Sequence, residues 1–156
     1  MRILVVSDTH GNDHLLFKAH QRAGAVDAVI HAGDGEQDAL LLEQITHETV
    51  WRVAGNCDHG SLAPQERLIT LGGRRLLITH GHLYQVKNGL ELLVAHGKRS
   101  QADVVLFGHT HQALTEQQGG MYLINPGTLW GRAPFLSYGI LEITDQQILA
   151  AIHRLD

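Results

Sequence analysis

The chain has 156 residues, of which 44% are hydrophobic and 18% charged, and its formal net charge is −4 at pH 7. This length and balance fit one globular domain over residues 1–156 and exclude a disordered chain. The acidic charge argues against stable nucleic-acid binding, the lone Cys57 allows no internal disulfide, and no apolar run reaches the roughly 20 residues that span a membrane. We therefore expect a cytoplasmic protein that does not associate with membranes.

The first third of the chain alternates short apolar strands with amphipathic helices. Strands are predicted at Ile3–Val6, Ala28–Ile30 and Val50–Val53, since these runs are short, apolar and rich in β-branched residues. Helices are predicted at Asp13–Ala23 and Gln37–Ile45, where apolar residues recur at helical spacing. This βαβαβ order predicts a parallel sheet with right-handed crossovers.

The rest of the chain is richer in hairpins. One helix is predicted at Gly89–Ser100, and a further buried strand at Val104–Phe107. Three strand pairs with short polar or glycine-rich turns are predicted as hairpins: Arg67–Leu71 with Arg75–Ile78, Ala113–Glu116 with Tyr122–Ile124, and Ser137–Ile143 with Ile148–His153. Together these elements predict an α/β protein with a mixed sheet or two sheets, packed in layers.

Residues of the types that commonly bind metals follow five of the predicted strands. The chain contains 12 histidines, and histidine is the commonest metal ligand. The residues at the strand ends are Asp8 and His10, Asp34, Asn56, His80, and His109 and His111. Ligand sites of open α/β sheets lie at the carboxyl ends of the strands, so we expect these side chains to meet.

These seven nitrogen and oxygen donors exceed the number that one four-coordinate ion needs. The set therefore predicts two adjacent divalent ions, with a carboxylate such as Asp34 bridging them. Imidazole and carboxylate or carbonyl donors fit manganese, iron, zinc, nickel or cobalt. Manganese is the expected metal, and the choice among these ions depends on their availability in the cell.

The order of these blocks resembles the calcineurin-like metallophosphoesterase superfamily, and more narrowly its YfcE-like subgroup of small bacterial and archaeal phosphodiesterases. The blocks are Asp8-Thr9-His10, Gly33-Asp34, Gly55-Asn56, Thr79-His80-Gly81-His82 and Gly108-His109-Thr110-His111. The resemblance runs from Met1 through Asn125-Pro126-Gly127-Thr128. It implies a four-layer α/β/β/α sandwich with mixed sheets and a dinuclear metal site at the carboxyl ends of the strands.

The resemblance also implies a role for each donor. One ion is expected on Asp8, His10 and His111, and the second on Asn56, His80 and His109, with Asp34 as the bridge. The implied activity is phosphodiester hydrolysis by a hydroxide that bridges the two ions. Asn56 is expected both to bind a metal and to orient a phosphate oxygen, and Arg132 to contact the phosphate of a small phosphodiester substrate.

The chain departs from the wider superfamily at Cys57, where many members carry a histidine that protonates the leaving group or stabilises the transition state. The YfcE-like subgroup resembles this chain in having a Gly-Asn-Cys-Asp block, so the departure does not argue against activity. It leaves the proton donor open among His82, Asp58 and His59, and His82 is the preferred candidate.

Three other functions share these motifs. A phosphomonoesterase or nucleotide phosphatase needs the same metal ligands. The resemblance extends to Vps29, a eukaryotic trafficking subunit that keeps this fold as a non-catalytic interaction scaffold, and a metal-storage or metal-sensing protein is the third alternative. The apolar stretches Leu129-Trp130 and Pro134-Phe135-Leu136 are candidates for the interface of a homodimer or homotetramer.

Overall fold

Two five-stranded sheets form the centre of the structure, a computed structural model that describes residues 1–156. In chain order the strands and helices are β1 (Arg2–Val6), α1 (Asp13–Ala23), β2 (Ala28–His31), α2 (Glu36–Thr46), β3 (Val50–Arg52), β4 (Glu66–Leu71), β5 (Arg74–Thr79), a short 3-10 helix (His82–Tyr84), α3 (Glu91–Arg99), β6 (Val104–Leu106), β7 (Leu114–Gln118), β8 (Met121–Asn125), β9 (Ser137–Ile143) and β10 (Ile148–Arg154).

Each sheet contains a parallel core with antiparallel strands added at its edge. The first sheet has the order β10-β9-β1-β2-β3, in which β1, β2 and β3 are parallel, as the βαβαβ pattern predicts. The second has the order β4-β5-β6-β8-β7, in which β5, β6 and β8 are parallel. Because parallel strands end at the same edge of their sheet, the polar loops that follow them are brought together there.

Three apolar cores separate four layers. Along β1, Leu4 and Val6 pack against residues of α1 and α2, whereas Ile3 and Val5 pack against the second sheet. The outer face of the second sheet buries Leu77 and other apolar residues against α3. Strands buried on both faces read as continuous apolar runs, which is why these segments show little alternation. The α/β/β/α sandwich expected from the resemblance is confirmed.

The predicted elements differ from the structure mainly at their ends. The hairpin between β4 and β5 turns at Gly72-Gly73, whose φ angles of 56° and 76° suit a two-residue turn. The predicted four-residue turn after β7 is shorter, since β7 runs to Gln118 and only two glycines form the turn. Helix α3 begins at Glu91 rather than Gly89, whose φ of 142° is not helical.

All three helices are short and amphipathic. Helix α1 has 11 residues and buries Leu16 and Ala19 on the face toward the first sheet. Helix α2 also has 11 residues and buries Ala39 and Leu42 in the same core. None of the helices has both the length and the apolar character needed to cross a membrane.

Candidate metal centre

Loops from both sheets meet at one edge of the sandwich. Backbone hydrogen bonds hold the loops of each sheet together: the Asp8 amide donates to Gly33 O at 3.0 Å in the first sheet, and the Gly108 amide donates to His80 O at 3.1 Å in the second. Across the two sheets, the His109 amide donates to Asp8 Oδ2 at 3.0 Å. The predicted donors therefore come from loops that hydrogen bonds fix to one another, and the bond between the two sheets is accepted by the Asp8 carboxylate itself.

The first group of donors comprises Asp8, His10 and His111. Asp8 Oδ1 lies 3.1 Å from His111 Nε2 and 3.7 Å from His10 Nε2. The two imidazole nitrogens lie 3.4 Å apart. Their potential ligand atoms all fall within 4.8 Å of one another, so these three side chains can converge on a single ion.

The second group comprises Asp34, His80 and His109. Asp34 Oδ2 lies 3.2 Å from His80 Nε2, which lies 3.2 Å from His109 Nδ1. The same Asp34 oxygen is 3.9 Å from His10 Nε2 in the first group. A carboxylate oxygen between two groups of nitrogen donors has the position that a bridging ligand needs.

Each carboxylate presents one oxygen to the histidines and uses the other for hydrogen bonds. Asp8 Oδ2 accepts from Ser7 Oγ at 2.6 Å and from the His109 amide, and Asp34 Oδ1 accepts from the Cys57 amide at 2.7 Å. Asp8 Oδ1 is buried and has no hydrogen-bond partner. Leaving a buried polar atom without a partner costs about 1–3 kcal/mol, so this oxygen and the nitrogens around it fit a bound cation.

Five of the predicted ligands adopt left-handed backbone conformations. Their φ angles are 54° at Asp8, 49° at His10, 57° at Asp34, 68° at His109 and 59° at His111. Left-handed geometry costs an L-residue roughly 1–2 kcal/mol, and such strain is concentrated at functional sites. These backbone turns set the directions of the five side chains, so that Asp8 and His10 join one donor group whereas His109 and His111 join different groups.

Two glycines allow the ligand loops to approach closely. A Cβ on Gly108 would overlap the Ser7 hydroxyl and lie 2.6 Å from Asp8 Oδ2. A Cβ on Gly55 would overlap the Asp34 carboxylate. Glycine at both positions is therefore required by the close approach of neighbouring side chains.

Burial and charge oppose each other in the site. Burial raises the pKa of Asp34, but hydrogen bonding and charge interaction with His80 outweigh it and lower the pKa to about 2. Asp8 has its pKa lowered in the same way, since its attraction to the nearby imidazoles of His10 and His111 outweighs its burial. Burial lowers the pKa of His80, yet the two carboxylates raise it overall. Both carboxylates are thus favoured in the ionised form, which is the form that binds a cation.

The predicted ligand Asn56 lies at the edge of this arrangement. It is exposed and lines the same cavity of about 260 Å³ as His10 and His109, but its Nδ2 donates to Cys57 Sγ at 3.4 Å rather than to a donor group. The Cys57 thiol is also exposed, and its sulfur lies within 4.8 Å of ligand atoms of His10 and Asp34. The position of Cys57 in the sequence did not indicate that its thiol would lie this close to the other donors.

The structure gives Asp58, one of the candidate proton donors, a set of backbone hydrogen bonds. Its Oδ2 accepts from the backbone amides of Asp34 and Gly55, both at 2.8 Å, and its Oδ1 accepts from the amides of Gly35 and Glu36 at 2.9 and 3.0 Å. Both oxygens of Asp58 are therefore engaged as acceptors of backbone N–H groups. Asp58 caps the amino end of α2 and joins the two loops that carry Asp34 and Asn56.

His82 is placed beside the second donor group and does not line its cavity. It lies in the 3-10 helix, with its ring centroid 5.5 Å from that of His80 and 6.1 Å from that of His109. Burial and the charge of His80 lower the pKa of His82, so its neutral form is favoured. The role of His82 as proton donor stays a prediction. His59, the third candidate, is exposed in the loop after β3.

Two cations flank the site in different ways. Lys87, which no sequence motif indicated, lines the cavity that contains the donors. Burial, the charge of His80 and the charge of Lys87 together lower the pKa of His109 to about 4. Arg132 is exposed and lines a neighbouring groove with His111 and Trp130. Arg132 therefore shares its groove with the donor His111, and its contact with the phosphate stays a prediction. Lys87 is the one lysine or arginine among the residues that line the cavity itself.

The Asn125–Thr128 segment, which was noticed only as part of the resemblance, holds the ligand loops in place. Asn125 Nδ2 donates to Gly108 O and Thr110 Oγ1, both at 3.0 Å. Thr128 Oγ1 donates to Asp8 O at 2.9 Å. One turn after β8 therefore ties the loop that carries His109 to the loop that carries Asp8.

A buried polar network holds the Thr9–Gly11 loop against α2. Asp38 accepts hydrogen bonds from Thr9 Oγ1 and from the Gly11 amide, and Thr9 Oγ1 also lies 3.1 Å from His31 Nε2. His31 is fully buried and its pKa is lowered by that burial, so it stays neutral. His31 therefore supports the loop that carries His10 through its contact with Thr9.

The Calcineurin-like phosphoesterase superfamily domain matches residues 1–146 of this chain. A protein of Bacillus subtilis named probable metallophosphoesterase YsnB is 37% identical over 92% of this chain and 85% of its own length. Phosphodiesterase YfcE of Escherichia coli is 29% identical over 97% of both chains, and the structure of the E. coli phosphoesterase has a TM-score of 0.66 to this one, with full coverage of both.

Vps29 of Entamoeba histolytica, in a crystal structure with Zn²⁺, has a TM-score of 0.76, with both chains covered in full and 22% identity. At this identity the likeness concerns the fold alone. The family model and the relatives' names, by contrast, agree with the clustered His and Asp donors, because calcineurin-like phosphoesterases bind divalent metals. The chain therefore belongs to the calcineurin-like phosphoesterase superfamily.

Proposed function

We propose that this protein is a metal-dependent phosphodiesterase with two divalent ions. Asp8, His10 and His111 hold one ion, and His80 and His109 hold the second with Asn56. Asp34 bridges them. The observation that carries this proposal is the position of Asp34 Oδ2, which lies 3.9 Å from a nitrogen of the first group and 3.2 Å from one of the second.

When bound, two such ions lower the pKa of a water molecule toward neutrality and offset the charge of a phosphoryl group. The chain's own contribution is to fix the donors in advance. Hydrogen bonds hold one oxygen of Asp8 and one of Asp34, so the remaining oxygen of each faces the nitrogens. This prior orientation reduces the rearrangement needed when ions and substrate bind.

Lys87 and Asn56 are the proposed substrate contacts within the cavity. Both are exposed and both line the space that the donor groups face. The Lys87 ammonium suits the negative charge of a phosphoryl oxygen, and the Asn56 amide can turn from the Cys57 sulfur to bind an ion or a phosphate oxygen. No side chain of this set is assigned as the proton donor to the leaving group.

The activity is tested with bis-p-nitrophenyl phosphate, an activated diester, in parallel with the monoester p-nitrophenyl phosphate. Protein freed of metal by EDTA is expected to be inactive and to regain hydrolysis of the diester when Mn²⁺ is added. Higher kcat/KM on the monoester would favour the phosphatase alternative. Tight Mn²⁺ binding without turnover of either ester would contradict the proposal and favour a scaffold or a metal-storage protein.

Replacing a remote histidine provides the matched control for this assay. His14 is exposed on α1 and lies outside both donor groups. His14→Gln is expected to leave Mn²⁺-dependent turnover within about twofold of the wild type, because surface substitutions change stability by less than ~0.5 kcal/mol. His109→Gln is expected to abolish most of the turnover, and equal losses in both variants would argue against the assigned site.

Metal binding is expected to release protons and to weaken as the pH falls. The neighbouring carboxylates raise the pKa of His10 and His80 above the usual 6.5, so each holds more proton near neutral pH than a free histidine does. An ion must displace these protons, and affinity therefore rises with pH until both histidines are neutral. Titration calorimetry with Mn²⁺ in buffers of different ionisation enthalpy measures this release, and a pH-independent affinity between pH 6 and 8 would contradict it.

A further inference from the structure

A second cavity opens directly beside the donor groups. It has a volume of about 520 Å³ and lies between Ala113 and the segment from Trp130 to Phe135. Its wall includes His111 and Trp130, which also line the cavity of the metal donors. We call this space the Trp130–Phe135 groove. Because the two spaces share these walls, a molecule whose phosphoryl group lies at the donors can extend into the groove.

Both aromatic walls of the groove are held by neighbouring side chains. The Trp130 ring lies 5.8 Å from the His10 ring and 5.7 Å from the His111 ring, measured between centroids. At the other end, the Arg154 guanidinium lies 4.6 Å from the centroid of the Phe135 ring, which is 61% exposed. The groove therefore has two aromatic side chains in its wall, and each of them packs against neighbours on the protein.

We propose that the Trp130–Phe135 groove is the subsite for the organic group of the phosphoester, and that it takes a flat, unsaturated ring. This inference rests on the proposed function, because it fixes the phosphoryl group at the donors. Its volume lies in the range of small-molecule sites, and its mixed lining combines two aromatic rings with polar side chains and one cation, Arg132. The exposed Arg132 on its rim can pair with a second anionic or electron-rich group of the ligand.

The expected ligand preference is measured with phosphonates, which are not hydrolysed. Phenylphosphonate and methylphosphonate carry the same head group, so their affinities for the Mn²⁺-loaded protein differ only through the organic group. We expect phenylphosphonate to bind about fivefold more tightly, the size of one aromatic contact. The preference is expected to fall to within about twofold in Phe135→Ala, which removes one ring. Leu149→Ala on β10, at a residue that is 49% exposed and outside the groove, is the control and should keep the preference.

Fluorescence of Trp130 gives a readout that does not depend on activity. The chain has two tryptophans, so a Trp51→Phe background leaves Trp130 as the only emitter. Phenylphosphonate is expected to change this emission at saturation more than methylphosphonate does. If the ring preference appears in this titration while no ester is hydrolysed, the subsite stands and the proposed function fails. If esters are hydrolysed but neither affinity nor emission distinguishes the two phosphonates, the subsite is wrong.

A simple aryl group and a nucleobase both supply a flat ring, and a second pair of probes separates them. Adenosine 5′-monophosphate and ribose 5-phosphate differ by the base alone. A preference for the nucleotide that Phe135→Ala removes assigns the groove to a nucleobase, whereas a preference limited to phenylphosphonate assigns it to an aryl ester. A phenyl preference that persists in Phe135→Ala would overturn the proposal. It would also be overturned if Phe135→Ala dissociated an oligomer in sedimentation without any ring preference, since the groove would then be a face between copies.

Discussion

Asp34→Asn is expected to lower Mn²⁺-dependent diester hydrolysis by at least about 100-fold, since each tenfold loss corresponds to ~1.4 kcal/mol and metal-ion catalysis contributes several kcal/mol. The substitution keeps the shape of the side chain. Asp34 Oδ1 accepts from the Cys57 amide, so the single oxygen of an asparagine is needed there and its NH₂ group turns toward His80 and His10. An NH₂ group cannot bind a metal ion, and the bridge between the two donor groups is lost.

Metal content separates this effect from a general loss of folding. We expect elemental analysis of the purified variant to give about one Mn²⁺ fewer per chain than the wild type. Asp145→Asn makes the same chemical change at an exposed residue of the β9–β10 turn and should retain both activity and metal. Full metal-dependent turnover in Asp34→Asn would rule out the bridging role and, with it, the proposed arrangement of the site.

The sequence predicts this fold well where burial decides the structure. The three parallel strands of the first sheet are short runs buried on both faces, and this makes them recognisable as apolar segments between amphipathic helices. The hairpin at Gly72-Gly73 is equally predictable, because only glycine adopts two positive φ angles in a row without strain. Such features depend on residues that are close in the chain.

The donors could be predicted from the sequence because they follow strands, whereas their surroundings could not. Lys87 lies after the 3-10 helix, and nothing in its neighbours indicates that it lines the cavity. The link from Thr128 to Asp8 spans 120 residues, and the contact of Asp8 with His109 spans 101. Contacts of this separation depend on how the two sheets pack together, and that packing has no local signal in the chain.

The prediction for Asp58 shows what the structure adds to a motif. As a residue beside the expected donors, Asp58 was a candidate general acid, but its two oxygens accept four backbone N–H bonds from the amino end of α2 and from the Gly55 turn. A hydrogen bond to a charged group contributes about 1.5–3 kcal/mol. A buried N–H group that is left without an acceptor costs about 1–3 kcal/mol. Its role is therefore to position the two loops on which Asp34 and Asn56 stand.

Asp58→Asn is consequently expected to destabilise the fold while leaving the proton-transfer steps unchanged. The asparagine NH₂ group must face two of the four backbone N–H groups, which loses about 2–5 kcal/mol and lowers Tm by roughly 5–15 °C in a chain of this size. Metal affinity should fall as well, because the Asp34 amide loses its anchor. Thermal unfolding measures the first effect, with Asp145→Asn as the control of equal charge change. A pH–rate profile tests the assignment independently: loss of its basic limb in Asp58→Asn, with Tm unchanged, would identify Asp58 as the general acid after all.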